Sequence, residues 1–419
     1  MNTKRILLIG GNFYPEPTGI GKYNGEMIEW LARHGFDCTV VTTYPYYPHW
    51  KLQKPYTKRW FWFNKEVRIA EGENIDGENT SYITVYRCPH YVPENPNGKK
   101  RMLLDLSFAA SSLLKITHLL LKKKYDIVIT VVPPFHLGLL GILYKRIKGA
   151  KFLYHVQDLQ IEAARDLQMI KSQRMIRSLF GMERYIMDQA DLISSISDGM
   201  IRKIEEKSRK EVQFFPNWSN IELFHPIEDK AALKRSFGFD AKDQIILYSG
   251  AIGEKQGLHC IIEAALALRN KEHFKFVICG SGPYKEKLME LAQRRNLGNV
   301  TFLPLQPLDL FNKFLNMADV HLILQKAGAS DLVMPSKLTN ILAVGGLSII
   351  TAEPGSSLYD TVEKNGIGLL VPSEDSASLA RSIEKALCTD HSFIRKNSRE
   401  YAENFLSIDG ILSRYFESV

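Results

Sequence analysis

Residues 5–23 read RILLIGGNFYPEPTGIGKY, a short apolar run that ends in two glycines and leads to a helical pattern opening at Gly19 and Gly21. This order is typical of a buried strand, a turn that lets a ligand approach the backbone, and a crossover helix. Residues 244–258, QIILYSGAIGEKQGL, show a matching strand and glycine turn in the second half. The sequence therefore predicts a βα unit at the start of each half.

Short apolar runs alternate with helix-length segments through both halves, which is typical of parallel sheets built from βαβ units. We therefore predict an α/β fold of two Rossmann-like, doubly wound parallel-sheet domains. At 419 residues the chain exceeds the usual size of one core, and the proline-containing residues 215–243 fit a linker. The predicted strands are 6–9, 38–42, 127–132, 152–155, 192–194, 212–215, 245–248, 276–279, 300–303, 320–324 and 348–351.

The charge of the chain is unevenly distributed. Residues 1–213 hold 32 Lys and Arg against 22 Asp and Glu, whereas residues 214–419 hold 22 against 24. The excess of positive charge in the first half is compatible with nucleic acid, an anionic membrane or a phosphorylated substrate. The two halves are therefore expected to meet different partners.

Five widely spaced cysteines without a CxxC pair indicate neither a disulfide framework nor a zinc site, and favour a reducing cytoplasm. The first apolar run is too short for a signal peptide. A longer apolar stretch, residues 102–121, is interrupted by Asp105, Lys115 and His118. It is a poor transmembrane segment and fits a buried or interfacial helix better.

Residues 44–63 hold nine aromatic side chains in twenty, with four Lys and Arg among them. Aromatic rings beside basic groups suit stacking on sugars, a membrane interface or single-stranded nucleic acid. A packed insertion after the second strand explains the stretch equally well.

Two glycine-rich turns in the second half hold candidate binding residues. In residues 249–258 the glycines surround Lys255, whose ammonium suits a diphosphate, although the spacing is not that of a P-loop. In residues 278–288, ICGSGPYKEKL, Ser281 and Gly282 belong to a sharp strand-to-helix turn. Ordinary turn chemistry and a solvated lysine are the alternatives.

In the first half, His155 and Asp158 lie in the segment HVQDL, at the carboxyl end of a predicted strand. Open α/β sheets bind their ligands at that edge. A functional histidine and a structural one are equally compatible with this position.

Seven runs resemble the retaining GT-B glycosyltransferases of family GT4, and the resemblance covers nearly the whole chain. It implies two Rossmann-like domains facing a central cleft: an acceptor-binding, membrane-facing domain of residues 1–215 and a nucleotide-sugar-binding domain of residues 216–395. It also implies that a C-terminal helix, residues 396–419, packs back on the N-terminal domain. The runs are ADLISSISDGM (190–200), PNWSNIELF (216–224), SGAIGEKQGL (249–258), ICGSGPYKEKL (278–288), NVTFLPLQP (299–307), MADVHLI (317–323) and GIGLLVPSEDSASLARSI (366–383).

Residues 15–23, PEPTGIGKY, and residues 334–346, MPSKLTNILAVGG, are similar to fucosyltransferases of colanic-acid-type exopolysaccharide assembly. This implies a hexosyltransferase that moves a sugar, with GDP-fucose the favoured donor, to a lipid-linked saccharide with retention. The product would be an exopolysaccharide, a capsule or an O-antigen. Two alternatives stay open: a GT-B nucleotide-sugar epimerase or hydrolase, and, less favoured, a nucleic-acid-binding module.

The resemblance implies roles for matching residues. His155 would hydrogen-bond a hydroxyl of the donor sugar, Asp158 would orient that segment, and Lys255 would bind the diphosphate. No DxD-like motif follows a predicted strand and the family needs no metal, so no cofactor is expected. The implied donor-binding residues are Gly19, Gly250, Gly253, Ser281, Gly282, Leu305, Asp331, Lys337, Leu338 and Asn340.

The sequence departs from the family at two places. Residues 250–252 read Gly-Ala-Ile where the family has an arginine that accompanies the loop lysine. Asn340 stands where the family has the second of two glutamates, and Asp331 is the nearest acid before it. Because an amide still hydrogen-bonds ribose hydroxyls, only roles that need a carboxylate come into question.

The resemblance also implies a polyprenyl-diphosphate-linked saccharide as acceptor. Such an acceptor lies in the cytoplasmic leaflet, so the protein is expected to be cytoplasmic and peripherally bound to the inner face of the plasma membrane, with its basic half toward the anionic surface. No nucleic-acid partner is expected. The expected acceptor and membrane contacts are Trp60, Trp62, Lys99, Lys100, Arg101, Lys122, Lys123 and Lys124.

Overall fold

The structure is a computed structural model that describes residues 3–16, 19–58, 61–70, 82–166, 170, 172–326 and 335–417, with the side chains of residues 58, 166 and 255 left out. The chain divides into two compact units, Met1–Phe215 (unit 1) and Pro216–Val419 (unit 2).

Within the described residues, the sheet of unit 1 has eight strands: β1 (Arg5–Gly10), β2 (Asp37–Thr43), β3 (Asn64–Ile69), β4 (Tyr82–Cys88), β5 (Ile127–Val132), β6 (Lys151–Val156), β7 (Leu192–Ser195) and β8 (Val212–Phe214). Their order across the sheet is β3-β4-β2-β1-β5-β6-β7-β8. Neighbouring strands are parallel except for β3 and β4, which are antiparallel. All of β5 is buried, as expected for a central parallel strand covered on both faces.

The helices described in unit 1 are α1 (Gly19–Arg33), α2 (Gly98–Leu120), α3 (Gly138–Lys148), α4 (Gln160–Asp166), α5 (Gln173–Gln189) and α6 (Asp198–Ser208). Side chains of Asn97, Ser172 and Ser197 cap α2, α5 and α6, because each accepts a hydrogen bond from the backbone N–H three residues on. These caps fix where the three helices begin.

Unit 2 repeats the architecture with a six-stranded sheet in the described part of the chain: β9 (Gln244–Ser249), β10 (Phe274–Cys279), β11 (Val300–Leu303), β12 (Val320–Ile323), β13 (Ser348–Thr351) and β14 (Leu369–Val371). The order is β11-β10-β9-β12-β13-β14, and every neighbouring pair is parallel. The carboxyl ends of all six strands therefore lie at one edge.

Helices cover both faces of the unit 2 sheet. Buried residues of α8 (His259–Ala267), α9 (Lys285–Arg294) and α13 (Ser376–Cys388) form one core cluster with the sheet. The second cluster includes buried residues of the other helices, apart from α15. Those remaining helices are α7 (Lys230–Ser236), α10 (Leu308–Asn316), α11 (Ser336–Ala343), α12 (Ser357–Asn365), α14 (Ser392–Phe405) and α15 (Ile408–Glu417).

The two doubly wound parallel-sheet units confirm the predicted fold class, and each of the eleven predicted strands is present. The prediction missed β3, β4 and β14. β3 lies at the sheet edge and alternates partly buried with exposed residues, so it lacks the continuous apolar run of a central strand. The expected linker is also more ordered than predicted, because it contains α7.

The C-terminal segment forms two helices, α14 and α15, and not the single helix expected over residues 396–419. The chain leaves the helix between them, where the Leu406 carbonyl accepts a hydrogen bond from the Ser219 N–H at 2.8 Å. Arg399 of α14 donates to the carbonyls of Phe224 and Ala343, which anchors that helix in unit 2. Packing of the segment on the N-terminal domain stays a prediction.

Candidate functional site

In unit 2 the two glycine turns that follow β9 and β10 are joined backbone to backbone. The Gly250 N–H donates to the Cys279 carbonyl at 3.0 Å, and the Ile252 N–H donates to the Ser281 carbonyl at 2.8 Å. The Tyr284 N–H donates back to the Ile252 carbonyl at 3.1 Å. These bonds hold the predicted donor-binding residues together at the carboxyl edge of the sheet.

Glycine is required where the turns meet. A Cβ on Gly280 would lie 1.9 Å from the Gly250 carbonyl oxygen, and a Cβ on Gly282 would lie 2.3 Å from that of Ile252. Both glycines have positive φ angles, of 150° and 152°. No other residue fits these positions without moving backbone.

Several backbone N–H groups of the turns are free within the described residues. In the part of the chain that the structure describes, the N–H groups of Ala251, Ser281 and Gly282 have no hydrogen-bond partner. Free N–H groups of adjacent glycine turns form the type of concave site that binds anions. The turns can therefore hold a phosphate group without any side chain.

The loop after β11 supplies a third wall to this edge. The Leu303 and Pro304 carbonyls accept hydrogen bonds from Lys285 Nζ at 3.3 Å and Gln306 Nε2 at 2.9 Å. Leu305 has no backbone hydrogen bond among the described residues. Its N–H and carbonyl are therefore available to a ligand, and the donor-binding role of Leu305 stays a prediction.

Helix α11 of unit 2 holds three of the predicted donor-binding residues, and their environments differ. Lys337 Nζ lies 3.9 Å from the centre of the Tyr248 ring. The Leu338 side chain is fully buried in the core, so only its backbone is available to a donor. Asn340 Oδ1 accepts a hydrogen bond from Ser219 Oγ at 2.9 Å, so this oxygen already has a partner.

Two further donor predictions lie partly or wholly outside the described residues. Lys255 lies within the short 3-10 helix Glu254–Gln256, and Gly253 precedes this helix and donates its N–H to Gln256 Oε1 at 3.1 Å. The side chain of Lys255 is outside the described part, and so are all of Asp331 and the predicted membrane residue Trp60. Their roles stay predictions.

In unit 1, His155 occupies the end of β6 as predicted. It is buried, and its Nδ1 lies 3.0 Å from Ser194 Oγ on β7. Burial lowers the pKa of His155 to about 3, so the ring is neutral at physiological pH. A neutral imidazole in this position can donate a hydrogen bond to a sugar hydroxyl or accept one from it, but it carries no charge. Asp158 follows at partial exposure, just before α4.

Gly19 begins α1 with a φ angle of 61°. Glu16, which was not predicted, joins the turn after β1 to the segment after β2: its carboxylate accepts hydrogen bonds from the Tyr46 and Tyr47 N–H groups, both at 2.9 Å, and from Asn12 Nδ2 at 2.7 Å. Burial raises the pKa of Glu16, although these three hydrogen bonds act to lower it. The sequence feature that could have identified Glu16 is an acidic residue within a glycine-rich βα turn.

A polar group around Asp105 was also missed. Asp105 lies on α2, and its Oδ2 accepts a hydrogen bond from Gln160 Nε2 at 3.1 Å. Gln160 Oε1 accepts the Phe135 N–H at 3.1 Å, and His136 Nε2 lies 3.3 Å from the Asp105 carbonyl. Desolvation raises the pKa of Asp105 to about 6. The signal in the sequence was a single acid inside an apolar helix.

The aromatic stretch is divided between core and surface. Tyr44 and Tyr46 are buried, which agrees with the packed insertion, whereas Trp62 is 70% exposed. Trp50 is partly exposed and lies beneath the Arg101 guanidinium, at 4.8 Å. Only part of the stretch is therefore available for a ligand or a membrane.

The outer face of α2 is an exposed apolar surface of unit 1, and we call it the α2 face. By length and composition this helix is apolar enough to cross a membrane, but Phe108, Ile116 and Leu119 on its inner face are fully buried. Most of the flanking basic residues are exposed and Lys100 is partly exposed. The α2 face consists of Met102, Leu103, Leu106, Leu113 and Leu114, between Lys99, Lys100 and Arg101 at one end and Lys122, Lys123 and Lys124 at the other.

Among the described residues, no three His, Cys, Asp or Glu side chains are grouped so that they could hold a metal ion. The structure therefore offers no candidate metal centre within these limits, and the expectation of a cofactor-free site stays a prediction.

Comparison with known proteins places both units in one family. The Glycosyl transferase 4-like domain matches residues 18–218, and the Glycosyl transferases group 1 family matches residues 229–405. The predicted colanic acid biosynthesis glycosyl transferase WcaI of Escherichia coli (strain K12) is 39% identical over 426 aligned positions, which cover 99% of each chain. The glycosyltransferase WbjE of Pseudomonas aeruginosa is 23% identical over 73% of this chain and 80% of its own.

Solved structures share the fold at lower identity. Sucrose-phosphate synthase of Thermosynechococcus elongatus superposes with a TM-score of 0.74 at 18% identity, covering 99% of this chain and 98% of that chain. HepE of Anabaena, solved with UDP and glucose, has a TM-score of 0.66 at 14% identity and covers 99% of both chains. Two family matches that cover both units, and 39% identity along the whole length, show that the chain belongs to the GT-B glycosyltransferases of family GT4.

Proposed function

We propose that this glycosyltransferase moves a sugar from a nucleotide sugar to a lipid-linked saccharide during assembly of a colanic-acid-type exopolysaccharide, with capsule and O-antigen as the related products. The observation that carries the proposal is 39% identity, over 99% of both chains, to a relative named for colanic acid biosynthesis. GDP-fucose is the favoured donor, on the resemblance of residues 15–23 and 334–346.

The joined glycine turns of unit 2 support a nucleotide sugar as donor. The N–H groups of Ala251, Ser281 and Gly282, which have no partner among the described residues, suit a diphosphate, and Lys255 follows in the same turn. As the glycosidic bond breaks, negative charge grows on the departing diphosphate, so a fixed cation and aligned N–H groups stabilise the transition state more than the ground state.

The neutral state of His155 supports its proposed role in unit 1. Burial lowers the pKa of His155 to about 3, so the ring is uncharged at neutral pH. A neutral imidazole can still form a hydrogen bond with a hydroxyl of the sugar near the reacting carbon. We propose that the sugar is transferred with retention and without a metal. Proton NMR of the first product, before it equilibrates, tests retention, and unchanged activity in a chelator tests metal independence.

The α2 face supports binding to an anionic membrane surface, where a lipid-linked acceptor resides. Its exposed leucines would enter the headgroup region while the six flanking Lys and Arg side chains meet lipid phosphates. Because the inner face of α2 is part of the core, the helix would lie on the membrane and not span it. The protein would then be cytoplasmic and peripheral.

The test of the donor is a thermal-shift screen of the full-length protein with GDP-fucose, GDP-mannose, UDP-glucose and UDP-galactose. GDP-fucose should raise the melting temperature, and Lys255→Ala should remove that rise. If only uridine nucleotides stabilise the protein, the fucosyl assignment is wrong. Release of free sugar or of an epimer in the absence of acceptor would favour the hydrolase or epimerase instead.

A further inference from the structure

Three positive side chains surround one carboxylate at the amino edge of the unit 2 sheet, the edge opposite the glycine turns. Lys230 Nζ donates to the Ala318 carbonyl at 2.9 Å, and Arg395 Nη2 donates to the Asp319 carbonyl at 2.6 Å. Lys234 Nζ pairs with the Asp319 carboxylate at 2.7 Å. Because both carbonyls belong to the two residues just before β12, helices α7 and α14 bring their cations to one place.

The single carboxylate of this group is already in use. Asp319 Oδ2 accepts the Ile245 N–H at 2.8 Å in addition to its ion pair with Lys234. In the part of the chain that the structure describes, Lys230 and Arg395 each donate to a backbone carbonyl and neither forms a salt bridge. Three cations against one carboxylate leave an excess of two positive charges.

The pKa shifts of the two cations agree with this excess. Desolvation and the neighbouring Arg395 lower the pKa of Lys230 to about 8, although Asp319 acts to raise it. Burial lowers the pKa of Arg395 as well, against the effect of Asp319 and Asp390. The Asp390 carboxylate is exposed and accepts hydrogen bonds from the N–H and Oγ of Ser392. An anion that entered this place would stabilise the charged form of both cations.

Two buried polar atoms near these cations also have no partner among the described residues. His321 on β12 and Ser348 on β13 are paired in register, and both are buried. Neither His321 Nδ1 nor Ser348 Oγ forms a hydrogen bond there. Burial, together with the charges of Lys230 and Arg395, lowers the pKa of His321 to about 3, so the ring is neutral. In native proteins such atoms are commonly satisfied by bound water or an ion.

The unpartnered atoms lie on the side of the sheet that faces α7 and α14. His321 alternates with Leu322 along β12, so it lies on the same face as Ile323. Ile323 packs in one core cluster with Leu233 of α7 and Ala402 of α14. The cations and the unpartnered atoms therefore share one side and one edge of the sheet.

These observations indicate a site for an anion. A group with two negative charges balances the excess, and a guanidinium beside an ammonium suits the oxygens of phosphate. We propose that the amino edge of the unit 2 sheet binds a phosphate group between Lys230 and Arg395, supplied by inorganic phosphate or by a small phosphomonoester. The six residues of β9 separate this edge from the glycine turns by roughly 17 Å, so the site is distinct from the donor site.

The experiment is isothermal titration calorimetry of the full-length protein with inorganic phosphate and with glycerol 3-phosphate, at pH 7 and constant ionic strength in NaCl. Lys230→Gln and Arg395→Gln each remove one charge and keep an N–H donor for the backbone carbonyl. Each should weaken phosphate binding by about tenfold or more. Arg395→Lys keeps the charge and should weaken binding less than Arg395→Gln does.

The matched control is Lys271→Gln. Lys271 lies just before β10 and thus at the same edge of the sheet, but its Nζ pairs with Glu384 at 2.7 Å. This variant should bind phosphate as the wild type does. Because a ligand of the folded state stabilises that state, phosphate should raise the melting temperature of wild type and Lys271→Gln, and should raise that of Lys230→Gln much less.

A second control separates this site from the glycine turns. Phosphate bound at the turns would depend on Lys255, so Lys255→Ala should leave the phosphate affinity of the amino edge unchanged. Glycerol 3-phosphate shows whether the site accepts an ester: binding as tight as that of inorganic phosphate would assign it to phosphomonoesters, and weaker binding to free phosphate.

Four results would overturn the inference, and each leaves the proposed glycosyltransferase function intact. No phosphate binding by the wild type would reject the site irrespective of how the variants fold. Unchanged affinity in Lys230→Gln and Arg395→Gln would show that phosphate does not bind between these side chains. Affinity lost in Lys255→Ala alone would place the anion at the glycine turns. An equal loss in Lys271→Gln would show that net charge, and not this site, holds the anion.

Discussion

At the residue scale, buried ionisable side chains of unit 1 hold separate backbone segments together. Glu16 joins the turn after β1 to the segment after β2 through three hydrogen bonds. Arg87 at the end of β4 is almost fully buried and donates to the Thr43 carbonyl at 3.2 Å and to Glu66 at 3.3 Å. Each holds backbone from another part of the chain, so their function is positional and depends on partners far away in sequence.

Asp105 permits a prediction about stability and pH. Desolvation raises its pKa to about 6 in the folded protein, above the usual value of 3.8, so the folded state binds this proton more tightly than the unfolded state. The stabilisation is fully present below pH 4 and is lost as the pH rises through 6. Asp105→Asn should therefore raise the free energy of unfolding at pH 8 by about 1 kcal/mol, and the melting temperature with it. At pH 4 the variant should not be more stable than the wild type.

Thermal unfolding of both proteins at pH 4, 6 and 8 measures the effect. A destabilised Asp105→Asn variant at pH 8 would contradict it and would show that the carboxylate accepts stronger hydrogen bonds than the one from Gln160. If this polar group also contacts the acceptor, the variant should raise the KM for acceptor without changing that for donor.

At the scale of elements, the joined turns of unit 2 depend on close backbone contact. Gly280→Ala would place a methyl group 1.9 Å from the Gly250 carbonyl oxygen. Since backbone must then move, we expect a loss of about 3 kcal/mol or more in unfolding free energy, together with loss of nucleotide binding. Urea unfolding measures the first effect and calorimetry the second.

Gly298→Ala is the matched control, because nothing lies within 4 Å of its added Cβ. It should change stability by less than about 0.5 kcal/mol and leave nucleotide affinity unchanged. Similar losses in both variants would mean that the contact between the turns does not carry the effect.

The α2 face gives a second prediction at this scale. Leu106 and Leu114 are 52% and 64% exposed, so replacing both by Glu removes apolar surface without disturbing the core. We expect at least a tenfold loss in binding to vesicles that contain phosphatidylglycerol, with an unchanged melting temperature. Co-sedimentation measures the binding.

Phe393→Glu controls for the loss of an exposed apolar residue, since Phe393 is 72% exposed and belongs to unit 2. It should bind vesicles as the wild type does. Equal losses in this variant and in the α2 variant would contradict the assignment of the membrane contact to the α2 face.

At the scale of the whole molecule, the two units differ in net charge. Residues 1–213 carry ten more basic than acidic side chains, whereas residues 214–419 carry two more acidic than basic ones. Because each Lys or Arg near an anionic surface contributes about 1 kcal/mol, membrane binding should depend on salt. Raising NaCl from about 0.1 to 0.5 M should weaken binding to anionic vesicles severalfold, since screening shortens to a few ångström.

Vesicles of phosphatidylcholine alone should bind weakly at both salt concentrations. Strong, salt-independent binding to them would show that apolar contacts alone hold the protein, and the basic half would then need another partner.

Much of the fold was predictable because it rests on local patterns. The central strands β1, β5 and β9 are apolar runs that would be buried in any α/β sheet, and the glycines after β9 and β10 are visible in the sequence. The edge strand β3 was not predictable, since an exposed strand with charged residues has no continuous apolar run that would mark it in the sequence.

The sequence alone accounts for the two-sheet class, the family and the turns where a donor would bind, because periodicity and short motifs depend on neighbours in the chain. Three-dimensional packing was needed to bring Lys337 against Gly250, 87 positions apart, and Asp105 against Gln160, 55 apart. It also turned the leucines of α2 outward between two basic clusters. Such contacts depend on topology and burial. A local sequence pattern therefore does not show which distant group a side chain will contact.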